Sequence, residues 1–349
     1  MILRKLRYKI LVLVLDLSVA TAILLATWII EYKRPQAGIR VQAAQTKEVQ
    51  YSDGGPRNEI GNADLTKTKR KTDNLDWHKK FASHFTDEVV VGNNTYSSPD
   101  IAIELTYHQY DSGVKDTSAK GKHLKYGSNI SYVLADIYIG DISCLQTAFA
   151  KDMYGIGYFE KLTDMSERMK AVLAVNGDSY SNDRHADNGT IIRNGVIYRN
   201  EKSASETCVL NWDGTMQIYG PGLLDKGQMI EQGAYQSWIF GPSLLDEAGK
   251  AKTSFTTWSY ITQSHPRTAL GYYEPGHYCL LVADGRQESG RGMFLSEMAE
   301  VFENLGCKIA YNLDGGHCSF MTFQGNVANH PYKKEHEIPD GIVITEVSK

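Results

Sequence analysis

Four absences narrow the reading of this 349-residue chain. None of its five cysteines (Cys144, Cys208, Cys279, Cys307, Cys318) lies close enough to another to make a CxxC, which argues against a zinc ribbon. No basic stripe runs through it, the net charge is −4 and charged residues are an ordinary 22%, so nothing points to nucleic acid. No internal repeat or long linker interrupts the chain after residue 95, so the roughly 250 residues that remain read as one domain. An EF-hand-like loop is also missing. The several aspartates are compatible with a divalent cation, but no metal ligands and no cofactor are assigned.

What is present begins with residues 10–30, an apolar run long enough to cross a bilayer, for which about 20 residues suffice. Arg4, Lys5, Arg7 and Lys9 precede it, an arrangement that keeps the N-terminus cytoplasmic. The small-x-small candidates for signal cleavage, Ser18-Val19-Ala20 and Ala20-Thr21-Ala22, lie inside the run. Trp28, Ile29 and Ile30 continue beyond them, so an uncleaved single-pass anchor is favoured. Asp16 is costly there, at roughly 2.5–3.5 kcal/mol for a mid-membrane carboxylate. The expected order is a cytoplasmic tail 1–9, a transmembrane anchor 10–30, a polar stalk 31–95 and an outward-facing domain 96–349. Within the stalk, Trp77, Phe81 and Phe85 have a helix-like spacing that could start packing onto the domain. An odd cysteine count in an outward-facing domain leaves at least one thiol without an internal partner. Cys208, Cys279 and Cys307 sit in apolar strand-like runs and read as buried thiols.

Strand patterns outnumber helical ones. Residues 101–107 and 131–139 alternate or run apolar between polar turns. Asn194-Gly195 and Asp213-Gly214 are strong hairpin signals within 190–198 and 208–219, and Glu274-Pro275-Gly276 divides a strand pair over 268–283. Helical spacing marks 165–173 and 294–305, the second stopped by Gly306. Tight turns between strands favour an α+β fold, mainly an antiparallel or mixed sheet with a few packed helices. The 21 tyrosines against ten phenylalanines fit a wet surface for polar ligands such as carbohydrate.

The most informative local stretch is Asn312-Leu313-Asp314-Gly315-Gly316, after the strand-like run 307–311. Two glycines after an aspartate let the backbone turn and a ligand come close. A carboxylate beside open N–H groups serves acid–base chemistry, ligand binding or metal ligation; a plain hairpin turn is the alternative.

Several segments carry a family resemblance when taken in order. They are Ala174-Val175-Asn176-Gly177-Asp178-Ser179-Tyr180 with Asn188-Gly189-Thr190; Phe240-Gly241-Pro242-Ser243-Leu244-Leu245; and His265-Pro266-Arg267-Thr268-Ala269-Leu270-Gly271. Leu281-Val282-Ala283-Asp284-Gly285-Arg286 follows, then the stretch ending Asn312-Leu313-Asp314-Gly315-Gly316, and the trailing run 323–331. Together they span roughly residues 100–349 and resemble the phosphodiester glycosidase family (N-acetylglucosamine-1-phosphodiester alpha-N-acetylglucosaminidase-like domain). The resemblance implies a bacterial membrane-anchored hydrolase, or transferase, acting on a sugar-1-phosphodiester of an envelope or exported polysaccharide. One departure stands out: the family follows Asp-Gly-Gly with a third glycine and two small hydroxyl residues, whereas this chain has His317-Cys318-Ser319. It bears on substrate choice and on catalysis.

The chemistry such a reaction requires is available in the residues. Loss of a sugar from phosphate passes through an oxocarbenium-like state and needs a carboxylate, a positioned water, and cations or N–H groups on the phosphate. The carboxylate candidates are Asp314, Asp284 and Asp178. Arg267 and Arg286 can grip a phosphate through paired donors. Asn176, Asn312, Gly315, Gly316 and His317 complete the substrate-binding set; Asn312 would orient Asp314 or a sugar hydroxyl, and His317 would add an acid–base group. Each also has a structural alternative, a turn, a cap or an ordinary ion pair. Three other functions compete: a Cys318 thiol nucleophile, a polysaccharide binder without activity, and a structural envelope protein.

Overall fold

The computed structural model describes residues 14–27, 38–40, 50–51, 63–71, 76–117, 126–181 and 189–347. Its centre is a seven-stranded antiparallel sheet in the order Ile309–Asn312, Arg267–Glu274, His277–Ala283, Asn129–Ile139, Ile101–Asp111, Thr95–Ser97, Val90–Val91. A five-stranded antiparallel sheet, ordered Asn326–Val327, Met321–Phe323, Leu173–Asn176, Asp340–Ile344, Leu145–Phe149, packs against one of its faces.

The side-chain period of two explains why 278–283 reads as an unbroken apolar run. Leu280 and Val282 enter the core between the two sheets, with Leu173, Val175 and Ile342. Cys279, Leu281 and Ala283 point the other way, against Leu295, Met298, Ala299 and Phe302 of the helix Leu295–Asn304. The helix Leu162–Met169 covers the outer face of the smaller sheet through Leu162 and Met165. Helices thus flank two packed, mostly antiparallel sheets, and the fold is α+β.

Several local expectations are met. Asn194 and Gly195 both take positive φ between the strands Thr190–Arg193 and Val196–Asn200. Gly306 takes a positive φ of 80° just past the helix 295–304. The helix expected at 165–173 is displaced. It begins at Leu162 and stops at Met169 because Lys170 turns left-handed, and Leu173 belongs to the next strand.

Packed structure also begins before Tyr96, inside the segment expected to be a solvated stalk. Thr66–Lys67 adds a strand to the 190–200 hairpin, Thr68 Oγ1 donates to the Ala234 carbonyl at 2.6 Å, and Trp77 and Phe81 are buried in the main core. Residues 14–27 are helical. Among the described residues no helix is long and apolar enough to cross a membrane; both ends of the 10–30 run lie outside them, as does Asn188. All five cysteines are free thiols, with Cys208, Cys279 and Cys307 buried.

Candidate active site

Antiparallel pairing brings distant parts of the chain to one edge of the large sheet. Arg267, at the start of its strand, lies opposite Ala283, so Asp284, Gly285 and Arg286 leave the sheet beside it. On its other side the strand Ile309–Asn312 runs out through Leu313, whose N–H donates to the Thr268 carbonyl, to Asp314. The smaller sheet delivers Asn176 and Gly177 to the same place, since the Asp314 N–H donates to the Gly177 carbonyl.

A cleft of about 180 Å³ opens there, lined by Phe240, Tyr260, Ile261, His265, Pro266, Arg267, Arg286, Asp314, Gly315 and Gly316. Five of the ten residues anticipated from sequence therefore share it: Asp314, Arg267, Arg286, Gly315 and Gly316. The glycines are needed for close approach. Gly316 has φ +70°, and a Cβ there would lie 3.2 Å from Arg286 Nη2; a Cβ on Gly315 would lie 2.8 Å from the Pro266 carbonyl.

The Asp314 carboxylate accepts the Gly315 N–H at 2.8 Å, together with the Cys318 thiol and the Ser179 hydroxyl. Burial pushes its pKa up to about 6; those three donors pull against the shift, and nearby Asp340 adds to it. Cys318 is held as a thiol, because burial and the Asp314 charge both push its pKa up, which argues against a thiolate nucleophile.

The two arginines differ. Arg267 is almost fully buried; Nε donates to the Met293 carbonyl and Nη2 to the carbonyls of Ile261 and Gln263. Burial, then neighbouring Arg286, pulls its pKa down, yet the carbonyl acceptors favour the charged form. Its first role is to brace the 261–263 wall. Arg286 occupies a left-handed backbone position (φ 60°), donates through Nη1 to the Tyr332 hydroxyl, contacts His265 Nδ1 at 3.4 Å through Nη2, and buries Nε with no partner among the described residues. Among the described residues neither guanidinium forms an ion pair. The cleft thus holds two cations against one carboxyl group, an arrangement suited to an anionic ligand.

The other five anticipated residues lie behind the lining. Asn176 is a bracket: its Nδ2 donates to the Asp314 carbonyl at 2.7 Å, and its Oδ1 accepts the Thr268 hydroxyl at 2.6 Å. Asn312 donates to the Gly241 carbonyl and leaves Oδ1 buried with no partner among the described residues. Asp178, expected in catalysis, is fully buried and instead receives the N–H groups of Ile239 and Phe240, with Arg193 at 3.7 Å. Burial raises its pKa; Arg193 pulls against the shift and neighbouring Asp340, which shares that arginine, adds to it. Asp284 is likewise taken up by Asn329, Ser131 and the His330 N–H, and burial raises its pKa. His317 turns away from the cleft, bonding the Lys334 carbonyl and stacking on His336.

Sequence reasoning did not single out Phe240, Tyr260, Ile261 and His265 as lining residues, nor Ser179 and Tyr332 as partners of the charged groups. His265 and Phe240 stood inside quoted motifs, while Tyr260 and Ile261 arrive on an irregular segment with no pattern of its own. Among the described residues no group of three or more His, Cys, Asp or Glu side chains could hold a metal ion.

Comparisons with known proteins agree with this architecture. The catalytic domain of zebrafish N-acetylglucosamine-1-phosphodiester alpha-N-acetylglucosaminidase, auto-inhibited by its pro-peptide, superposes with a TM-score of 0.52 at 20% identity, covering 71% of this chain and 89% of that one. That likeness is one of fold. The SPbeta prophage-derived uncharacterized protein YomE of Bacillus subtilis (strain 168) is 30% identical over 214 residues, 57% of this chain and 32% of that protein. The chain therefore spans about a third of the length of this curated relative. A model of the family described as phosphodiester glycosidase matches residues 169–345, a little over half of the sequence, and the chain belongs to that family.

Proposed function

We propose that the protein hydrolyses a sugar-1-phosphodiester, releasing the sugar and leaving a phosphate monoester. The observation that carries this reading is the pairing, in one cleft, of a carboxyl group with raised pKa and two guanidiniums that form no ion pair among the described residues. The unpaired cations match the single negative charge of a phosphodiester, and Arg286, with Nη2 toward His265, is the one placed to hold it. In this reading ionised Asp314, on the cleft wall, faces the anomeric carbon and takes the proton of an attacking water. The C1–O bond breaks, and its electron pair leaves on the phosphate oxygen. That leaving group is acidic enough to need little protonation, so a second carboxyl group in the cleft is not required.

For the setting, the basic-flanked apolar run at 10–30 supports placing the domain outside the cytoplasmic membrane, on a phosphodiester of an envelope or exported polysaccharide. The test is incubation of the full chain with the α-N-acetylglucosaminyl phosphodiester of a small alcohol, measuring released sugar. Turnover is expected, with Asp314→Asn and Arg286→Ala each reduced by about a hundredfold or more. Absence of release from a folded protein, with divalent cations also supplied, would overturn hydrolysis.

A further inference from the structure

The cleft is small. About 180 Å³ falls short of the roughly 300–1,000 Å³ of pockets that enclose drug-sized ligands, so the cleft takes little more than one sugar ring. A longer substrate has to leave the cleft across its rim, and part of that rim has an unusual composition. Trp258 and Tyr260 each expose 40% of their surface, with ring planes within 10° of parallel and centroids 6.0 Å apart. Tyr260 itself lines the cleft, so the pair continues the cavity wall outward.

The segment carrying these rings is fixed. The Ile261 N–H donates to the Trp258 carbonyl at 2.8 Å, and the Thr262 hydroxyl to the Ser259 carbonyl at 2.6 Å. Arg267 Nη2 grips the carbonyls of Ile261 and Gln263, and a His265 ring nitrogen meets the Tyr260 carbonyl at 2.7 Å. Buried Asp116 accepts both the backbone N–H and the hydroxyl of Ser264. Two residues of the cleft, Arg267 and His265, are therefore also the anchors of the aromatic pair. Large rings held in water beside a polar cleft cost the fold apolar exposure that burial elsewhere would remove.

We propose that Trp258 and Tyr260 form a second sugar subsite, so that the substrate carries at least one pyranose ring beyond the one held in the cleft. A pyranose presents a face of C–H groups with partial positive charge, which packs on the negative face of an aromatic ring while its hydroxyl rim stays hydrated. The order of the site is then anomeric carbon at Asp314, phosphate at Arg286, and further sugar over Tyr260 and Trp258. That order rests on the hydrolytic reading above; the binding of a sugar by the pair does not.

The experiment uses the full chain in a detergent that carries no sugar headgroup. Calorimetry and tryptophan fluorescence follow titration with the N-acetylglucosamine tetramer and the glucose tetramer, neutral probes that give Arg286 and Asp314 no charge to hold. At least one tetramer is expected to bind, about tenfold more weakly in Trp258→Ala, with Trp258→Phe within about threefold of the parent. Thermal melting confirms that each variant is folded. Binding of neither tetramer, or equal binding by Trp258→Ala, overturns the subsite. Adsorption to neutral phosphatidylcholine vesicles that depends on Trp258, without tetramer binding, also overturns it and assigns the rings to a lipid surface. Turnover of the small-alcohol diester without Trp258-dependent tetramer binding defeats the subsite alone; Trp258-dependent binding without turnover defeats the hydrolytic reading alone.

Discussion

Asp314 shows how one side chain's surroundings set its use. A carboxyl group pushed up to about 6 by burial is mostly ionised at neutral pH and protonated in mild acid. If the ionised form takes the proton from water, kcat/KM is level above about pH 7 and falls roughly tenfold per unit well below 6. A pH profile of turnover checks this, and a level profile down to pH 4.5 contradicts it. The sign for stability is the reverse. A folded pKa above the ordinary value favours the protonated fold, a contribution complete below the unfolded pKa and lost as pH rises through about 6. Asp314→Asn is therefore expected to keep or raise the melting temperature at pH 8 while abolishing turnover. Asp314, Gly315 and Gly316 were legible because a carboxylate followed by two glycines is a local pattern with a local cause. Asp178 and Asp284 look equivalent in sequence, but backbone N–H groups of Ile239, Phe240 and His330 already occupy them, and those partners come from remote segments.

At the scale of elements, the site depends on strands that end together, and Asn176 ties those ends. It joins the smaller sheet to Thr268 of the larger one and to the carbonyl of Asp314. Asn176→Ala leaves these buried groups without partners, at a cost of about 1–3 kcal/mol. Denaturant unfolding should show that loss, with turnover falling further because Asp314 is released. Phe302→Ala, on the helix face packed against the large sheet, is expected to cost about 3–5 kcal/mol by the same measurement with a smaller effect on the cleft. Turn chemistry made the hairpins at Asn194-Gly195 and Asp213-Gly214 readable. The helix end near residue 170 was not, because Val172 and Leu173 continue a helical apolar spacing and only the left-handed Lys170 breaks it. The spacing of Trp77 and Phe81 did point to packing onto the domain, and both fill the main core, but the polar composition around them gave no sign of the strand at Thr66–Lys67.

For the whole molecule, the α+β class and the family could be read from tight turns and from motifs in a fixed order. The division into two facing sheets, which rests on pairings across more than a hundred residues, and the choice of residues that reach the cleft could not be. Those pairings make the account specific: a guanidinium from one strand end and a carboxylate from another meet on a single phosphodiester. Hydrolysis in water enriched in oxygen-18 tests this most directly, because it reports which bond is cut. The account predicts that the released phosphate monoester carries no label, since water attacks the anomeric carbon, and that release stops in Asp314→Asn. Label in the phosphate would place the attack on phosphorus and contradict it.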